Sequence, residues 1–377
     1  MKSLLYFLIF CMTTSTVNAK SKVLTFWTSD ENVKDAISKI VPSFEKEYGI
    51  KVHIDILNKD LTKQFKTAAI TGKGPDILVW AHDVVGELAS SGLIEPINIP
   101  NDLKKKLLPV SIQAFNYNGK LYGYPYDLEA IALIYNKKLI KKIPDTMEEL
   151  ISWAHKFTDS KKGKFGFLYD IGNFFFSFPF FSAGGGHIFK NENGRVNVNN
   201  IGIANAGAIN GISFIRELVV KGIIPSSTDY SIAMNKMKSG KLAVTMNGPW
   251  SIMEIKKSGI DYGISPIPSL RGKKPKPFVG SHGFIIRRSS KNKSIAKEFI
   301  ENYLMSKEGI LALYHANPRC PSRIDALKDL EKKDPDLGKF MLSASNGTPM
   351  PNVPEMSAVW SVMDNALKLS NSGQVKP

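Results

Sequence analysis

Cysteine is nearly absent from this chain of 377 residues, which carries two, Cys11 and Cys320. That excludes the disulfide framework on which small secreted folds rely. Histidine is scarce as well. The six present form neither His-Glu-x-x-His nor a His/Cys cluster at zinc spacing, so no metal site is expected. Neither Gly-x-x-x-x-Gly-Lys-Ser/Thr nor Gly-x-Gly-x-x-Gly occurs, which removes the usual nucleotide-phosphate cradles, and no cofactor is expected. Gly184-Gly185-Gly186 lacks the strand-to-helix setting of a phosphate loop and reads as a tight turn. Gly280-Ser281-His282-Gly283 is not the Gly-x-Ser-x-Gly elbow. Ser281 and His282, as strand neighbours, point to opposite faces and make a poor nucleophile and base.

Arginine is the third shortage, at seven of the 50 basic residues. A net charge of +16 invites a nucleic-acid reading, but such binders cluster their charge on one face and favour the planar fork of Arg. Here the lysines lie thinly along the chain. The densest runs, Lys104-Lys105-Lys106 and Lys273 to Lys276, are short and sit beside turn residues. The charge reads as a solvated lysine surface, and no nucleic-acid partner is expected.

What is present is a core-forming composition, 43% hydrophobic, in a length suited to two domains. Met1–Ala19 reads as a cleavable signal peptide: Lys2 is the positive start, Leu4–Met12 the apolar centre and Val17-Asn18-Ala19 the cleavage site. Cleavage is expected after Ala19, delivering the protein to the periplasm with Cys320 unpaired. Bulky Phe10 before Cys11 argues against a lipid anchor. No later apolar stretch is long enough to span a membrane.

Strand and helix patterns then alternate. Val23–Trp27 is a strand, and Thr28-Ser29-Asp30 signals a helix whose Val33, Ile37, Ile40, Val41 and Phe44 recur at helical spacing before Gly49. Val52, Ile54 and Ile56 alternate as a strand, and a helix follows from about Asp60 to Gly72. Asp76–Trp80 is a further strand, so a mainly parallel sheet with helices on both faces is expected. Asn118-Gly119 signals a hairpin, and Thr146 with Glu149 has capping-box spacing. Leu242–Met246 and the stretch around Ile285-Ile286 are strands, and the last third is mostly helical. With no floppy linker, the chain is expected to cross between its two domains more than once.

Trp80, Trp250 and Trp360 each stand at the end of an element beside polar or turn residues. In open α/β sheets, ligands sit beyond the carboxyl ends of strands, which puts Trp80 and Asp83 at the mouth of a site. An aromatic ring suits the apolar face of a pyranose, and carboxylates accept its hydroxyls. Taken singly, each Trp is equally well a core residue. Asp83 and Glu129 also leave open a pair of carboxylates for glycoside hydrolysis.

Long blocks are dispersed along the chain: Gly74-Pro75-Asp76-Ile77, Trp80-Ala81-His82-Asp83, Leu133-Ile134-Tyr135-Asn136-Lys137, Asn247-Gly248-Pro249-Trp250 and Met350-Pro351-Asn352 among them. In this order they resemble the maltose/maltodextrin-binding periplasmic proteins of bacterial ABC importers. The resemblance implies a two-lobed α/β periplasmic-binding-protein fold, each lobe a sheet flanked by helices, with the ligand cleft between them. It implies lobes formed by 20–127 plus 284–330 and by 128–283 plus 331–377. It implies a monomer, not an enzyme, that binds maltose or a maltodextrin and delivers it to an inner-membrane ABC permease. Carried over by position, Trp80, Trp250 and Trp360 would stack on sugar, while Asp83 and Glu129 would accept hydroxyls. Met350 would be an apolar cleft residue, Phe175 and Phe176 an aromatic wall, and Glu31 or Asp30 the polar loop after the first strand.

Several positions depart from that pattern. Val84 and Asp364 stand where the family has Arg, Asn173 where it has Glu, Phe175 where it has Tyr and Ser361 where it has an aromatic residue. Thr62 and Asn32 replace charged cleft residues, and the chain ends at Pro377, short of the family's final helix. The stacking platform is kept while part of the hydrogen-bonding set is lost, which leaves a different oligosaccharide or glycoconjugate as the alternative ligand.

Overall fold

Nine strands build two sheets in the computed structural model, which describes residues 23–192 and 195–377. The expected signal peptide, Met1–Ala19, and its cleavage site lie outside them. The strands are β1 (Val23–Thr28), β2 (Lys51–Ile56), β3 (Ile77–Ala81), β4 (Tyr124–Pro125), β5 (Ala132–Asn136), β6 (Phe165–Leu168), β7 (Leu242–Asn247), β8 (Tyr262–Ser265) and β9 (His282–Ile286). The first sheet has the order β2-β1-β3-β9-β4 and the second β8-β5-β7-β6. Each belongs to one lobe.

Local rules account for the elements. Leu24, Phe26 and Thr28 alternate as the buried face of β1. Helix α1 (Glu31–Tyr48) starts where the Asp30 carboxylate accepts the Asn32 and Val33 N–H groups, satisfying two of the free donors of its first turn. It stops at Gly49, whose φ of 64° suits a residue without a side chain. The expected hairpin is a tight turn in which Asn118 and Gly119 both take positive φ, 48° and 76°. Further along come α2 (Phe174–Gly184), α3 (Ala206–Val220), α4 (Lys307–Ala316) and α5 (Met356–Asn371). Gly185, with φ of 105°, ends α2, so the triple glycine is a helix stop.

The sheets are mixed, where the alternation of strands and helices suggested mainly parallel pairing. β1 runs parallel to β2 and β3, but β9 is antiparallel to both β3 and β4. In the second sheet β5 is antiparallel to β7 and β8, while β7 and β6 are parallel. The cause is the route of the chain: β9 enters the first sheet directly from the other lobe and not through a covering helix.

Three segments pass between the lobes and lie side by side. Asp127-Leu128 pairs antiparallel with Cys320-Pro321, and Glu129 bridges Gly280. Around these crossings Leu128, Val279, Cys320 and Leu327 form a small apolar cluster of their own. The lobes have separate cores, one including Leu24, Phe26, Phe44 and Phe299, the other including Ile134, Phe167, Phe180 and Leu367. Phe44 is fully buried, with its ring centroid 4.4 Å from that of Phe299 and 4.9 Å from that of Tyr48. Phe44→Ala should therefore lower the unfolding free energy by about 3–5 kcal/mol, measured by urea titration. A loss well below 1 kcal/mol would contradict this account of α1 packing.

Candidate functional site

Between the lobes lies a cavity of about 400 Å³. Its first aromatic wall is Trp80, at the carboxyl end of β3. The second is Trp250, just after β7. Gly248 makes room for it, because a Cβ there would come 2.0–2.4 Å from three atoms of the Trp250 ring. Trp360, on α5, is the third and reaches across to the other lobe, its indole Nε1–H donating to Asp83 Oδ2 at 2.9 Å. Phe175, in the first turn of α2, is the fourth.

Polar groups stand among these rings. Asn173 caps α2, its side-chain oxygen accepting the Phe175 N–H at 3.0 Å. Asp364 Oδ1 accepts the Phe174 N–H at 2.8 Å, placing a carboxylate at the positive end of the same helix. Asp83 Oδ1 is buried and without a hydrogen-bond partner. Burial pushes the Asp83 and Asp364 carboxyls above the usual carboxylate range. Met350 closes the cavity with its thioether side chain.

Arg319 is 9% exposed and lies where the crossings meet. Its Nε donates to Glu129 Oε2 at 2.5 Å and its Nη1 to Asp30 Oδ2 at 3.2 Å, while Asp127 Oδ2 is 3.7 Å from Nε. The guanidinium also faces the Trp250 ring, 5.6 Å from its centroid. Asn317 adds a hydrogen bond to Asp30. On the crossing that carries Gly280, His282 meets Asp127 Oδ1 at 3.1 Å and Glu129 Oε1 at 3.8 Å. Burial disfavours the charged imidazole, but Asp127 and Glu129 outweigh it and hold the His282 pKa above its ordinary value. His82 differs. Its Nδ1 accepts the Ser281 N–H at 3.1 Å, which assigns the proton to Nε2, 3.0 Å from the Met350 carbonyl. Burial lowers its pKa and keeps it neutral.

The cavity brings together Trp80, Asp83, Glu129, Phe175, Trp250, Met350 and Trp360 from segments far apart in sequence. Three expected residues stand elsewhere. Phe176 turns inward behind Trp250, 6.3 Å between ring centroids, because neighbours on a helix point about 100° apart. Asp30 is the helix cap and the partner of Arg319, one layer back from the cavity. Glu31 is exposed on the first turn of α1. Arg319 escaped notice in the sequence, and Asn173 and Asp364 counted as lost contacts although they line the cavity. A signal for Arg319 does exist: it is a rare Arg in a lysine-rich chain, between Pro318 and Pro321, where a planar fork was needed in place of a point charge. Val84 is buried, and Ser361, Thr62 and Asn32 are not among the cavity walls.

A raised His282 pKa makes the folded chain bind a proton more tightly than the unfolded chain, in which histidine titrates near about 6.5. The resulting stabilisation is complete below that pH and disappears as pH rises through the folded-state pKa. Urea unfolding of the parent and of His282→Gln should show the parent's advantage shrinking above about pH 6.5. An advantage independent of pH would contradict the assignment of a charged imidazole to the crossings.

The comparisons with known proteins agree with this geometry. The family model for bacterial extracellular solute-binding proteins matches residues 39–339. A galactooligosaccharide-binding protein of Bacillus subtilis is 30% identical over 372 residues, covering 96% of this chain and 87% of the relative. A maltotriose-binding protein of Pyrococcus abyssi is 32% identical over 315 residues, 82% of this chain and 68% of the relative. A maltooligosaccharide ABC transporter solute-binding lipoprotein of Streptococcus pneumoniae is 29% identical over 369 residues, 95% and 86%. These relatives are binding proteins by name, and two lobes around an aromatic cavity are what such a role requires; the chain belongs to the bacterial extracellular solute-binding protein family.

Proposed function

We propose that this chain is a periplasmic substrate-binding protein that takes maltose- or maltodextrin-type oligosaccharides and delivers them to an inner-membrane ABC permease. One observation carries the reading: four aromatic rings and three carboxylates face one cavity between two lobes. Such a surface offers stacking to pyranose rings and acceptors to their hydroxyls. The lobes formed by 20–127 plus 284–330 and by 128–283 plus 331–377 would close over the sugar as a monomer, in the hinge manner known for periplasmic binding proteins. Export would follow cleavage after Ala19. No cofactor or chemical step is assigned. Glu129 is committed to Arg319 and Asp83 to the Trp360 indole, which favours holding a sugar over cleaving it.

A second reading keeps the fold and changes the sugar. It is favoured by Asn173 and Asp364 on the cavity wall and by a relative named for galactooligosaccharides. Calorimetry with maltose, maltotriose and galactooligosaccharides tests both. Micromolar or tighter binding of a glucan supports the first reading, and a preference for galactosides supports the second. Absent or millimolar binding to every oligosaccharide would overturn the sugar-binding role. Trp250→Ala should weaken the preferred sugar about tenfold or more through lost stacking and apolar contact, at an unchanged circular-dichroism spectrum. Unchanged affinity would remove Trp250 from the site.

A further inference from the structure

Charge around the cavity is unbalanced, although the whole chain carries +16. Three carboxylates, Asp83, Glu129 and Asp364, share the walls with one guanidinium. That guanidinium, Arg319, is already engaged by Glu129 and Asp30. Asp83 and Asp364 make no direct ion pair: among the described residues neither has a partner within 4 Å, and the basic groups that act on them, His82 and His282 on Asp83 and Lys368 on Asp364, do so from farther away. Lys368, one turn beyond Asp364 on α5, is exposed and pairs with neither.

The two carboxylates are arranged about one ring. Trp360 donates its indole N–H to Asp83 Oδ2, and Asp364 follows Trp360 by one helical turn, on the same face of α5. Asp83 Oδ1 is buried without a partner. Asp364 uses Oδ1 for the Phe174 N–H, and no protein donor reaches its Oδ2 among the described residues. Behind Asn173, the Asp170 carboxyl is pushed up to about 6 by burial, with Asp229 and Asp364 adding repulsion. The exposed Lys368 offsets this only from a distance, so no cation touches the carboxylates on this side of the cavity, whereas a buried carboxylate is normally paired with one.

A ligand can bring the missing charge. An ammonium over an indole face is attracted by the ring's negative quadrupole, most strongly by Trp. Its three N–H donors suit the open Oδ2 of Asp364 and the unpartnered Oδ1 of Asp83, which is closed off from solvent in this form. The remaining rings, Trp80, Trp250 and Phe175, still suit a pyranose. Resting on the oligosaccharide reading above, we propose that the cleft selects an amino sugar, a glucosamine-type oligosaccharide whose free ammonium lies over Trp360 between Asp83 and Asp364. A linear polyamine satisfies the charges but leaves the other three rings without an apolar face to stack on.

Calorimetry near neutral pH and at low salt compares the glucosamine trimer with its fully N-acetylated counterpart, maltotriose and spermidine. The free amine should bind on the order of tenfold or more tighter than the acetylated trimer, as a charge-assisted hydrogen bond exceeds a neutral one. That preference should fall with added salt. It should also collapse in Asp364→Asn, whose amide oxygen still accepts the Phe174 N–H. If the acetylated trimer or maltotriose binds as tightly as the amine, the amino-sugar proposal fails while the sugar-binding role stands. Spermidine binding tighter than every sugar would overturn the proposal in favour of a polyamine site, and no binding of any sugar would defeat the broader reading with it.

Discussion

The contact on which the rest of the structure depends is the Arg319 guanidinium buried among carboxylates where the chain passes between lobes. Asp127 and Glu129 lie on one crossing, His282 on another and Arg319 on the third, with Asp30 reaching in from the start of α1. Removing one partner of such a buried group strands the others at a cost of about 3–5 kcal/mol. Burial works against every charge here, yet mutual attraction keeps Asp127 below the usual carboxylate range and raises both His282 and Arg319. The crossings are thereby held in register, and they bring Glu129 to the cavity with a fixed orientation.

The same guanidinium joins this electrostatic centre to the binding surface. It lies over Trp250, a ring that owes its place to Gly248. Across the cavity Trp360 is tied to Asp83 from the other lobe. Each lobe has its own core, and the contacts between them include the apolar cluster at the crossings and hydrogen bonds such as Ser357 to Glu87 and His82 to the Met350 carbonyl. A hinge of this kind lets a ligand that touches both walls shift the balance toward a closed form, by as much as it binds that form better.

Much of this was legible in the chain. Capping and stopping residues such as Asp30, Gly49 and Asn118-Gly119 act over a few positions, so their signals survive without tertiary context. Large aromatics at element ends beside turns drew attention to the tryptophans, but each was equally well a core residue until the family resemblance singled the three out. Arg319 was not, since its carboxylate partners Glu129 and Asp30 are 190 and 289 residues away. Nor could hydrophobicity separate Phe175, which faces the cavity, from Phe176, which faces the core: both are Phe, and only the phase of α2 decides. The antiparallel placement of β9 depends on where the chain returns from the other lobe, which no local pattern encodes. Charge misled in the opposite direction. The lysine surface dominates the total, while the cavity is acidic.

The central claim is that ligand binding closes the two lobes about these crossings. Small-angle X-ray scattering of the protein, with and without a saturating oligosaccharide identified by calorimetry, tests it most directly. The account predicts a smaller radius of gyration in the bound form. An unchanged radius at full occupancy would contradict it.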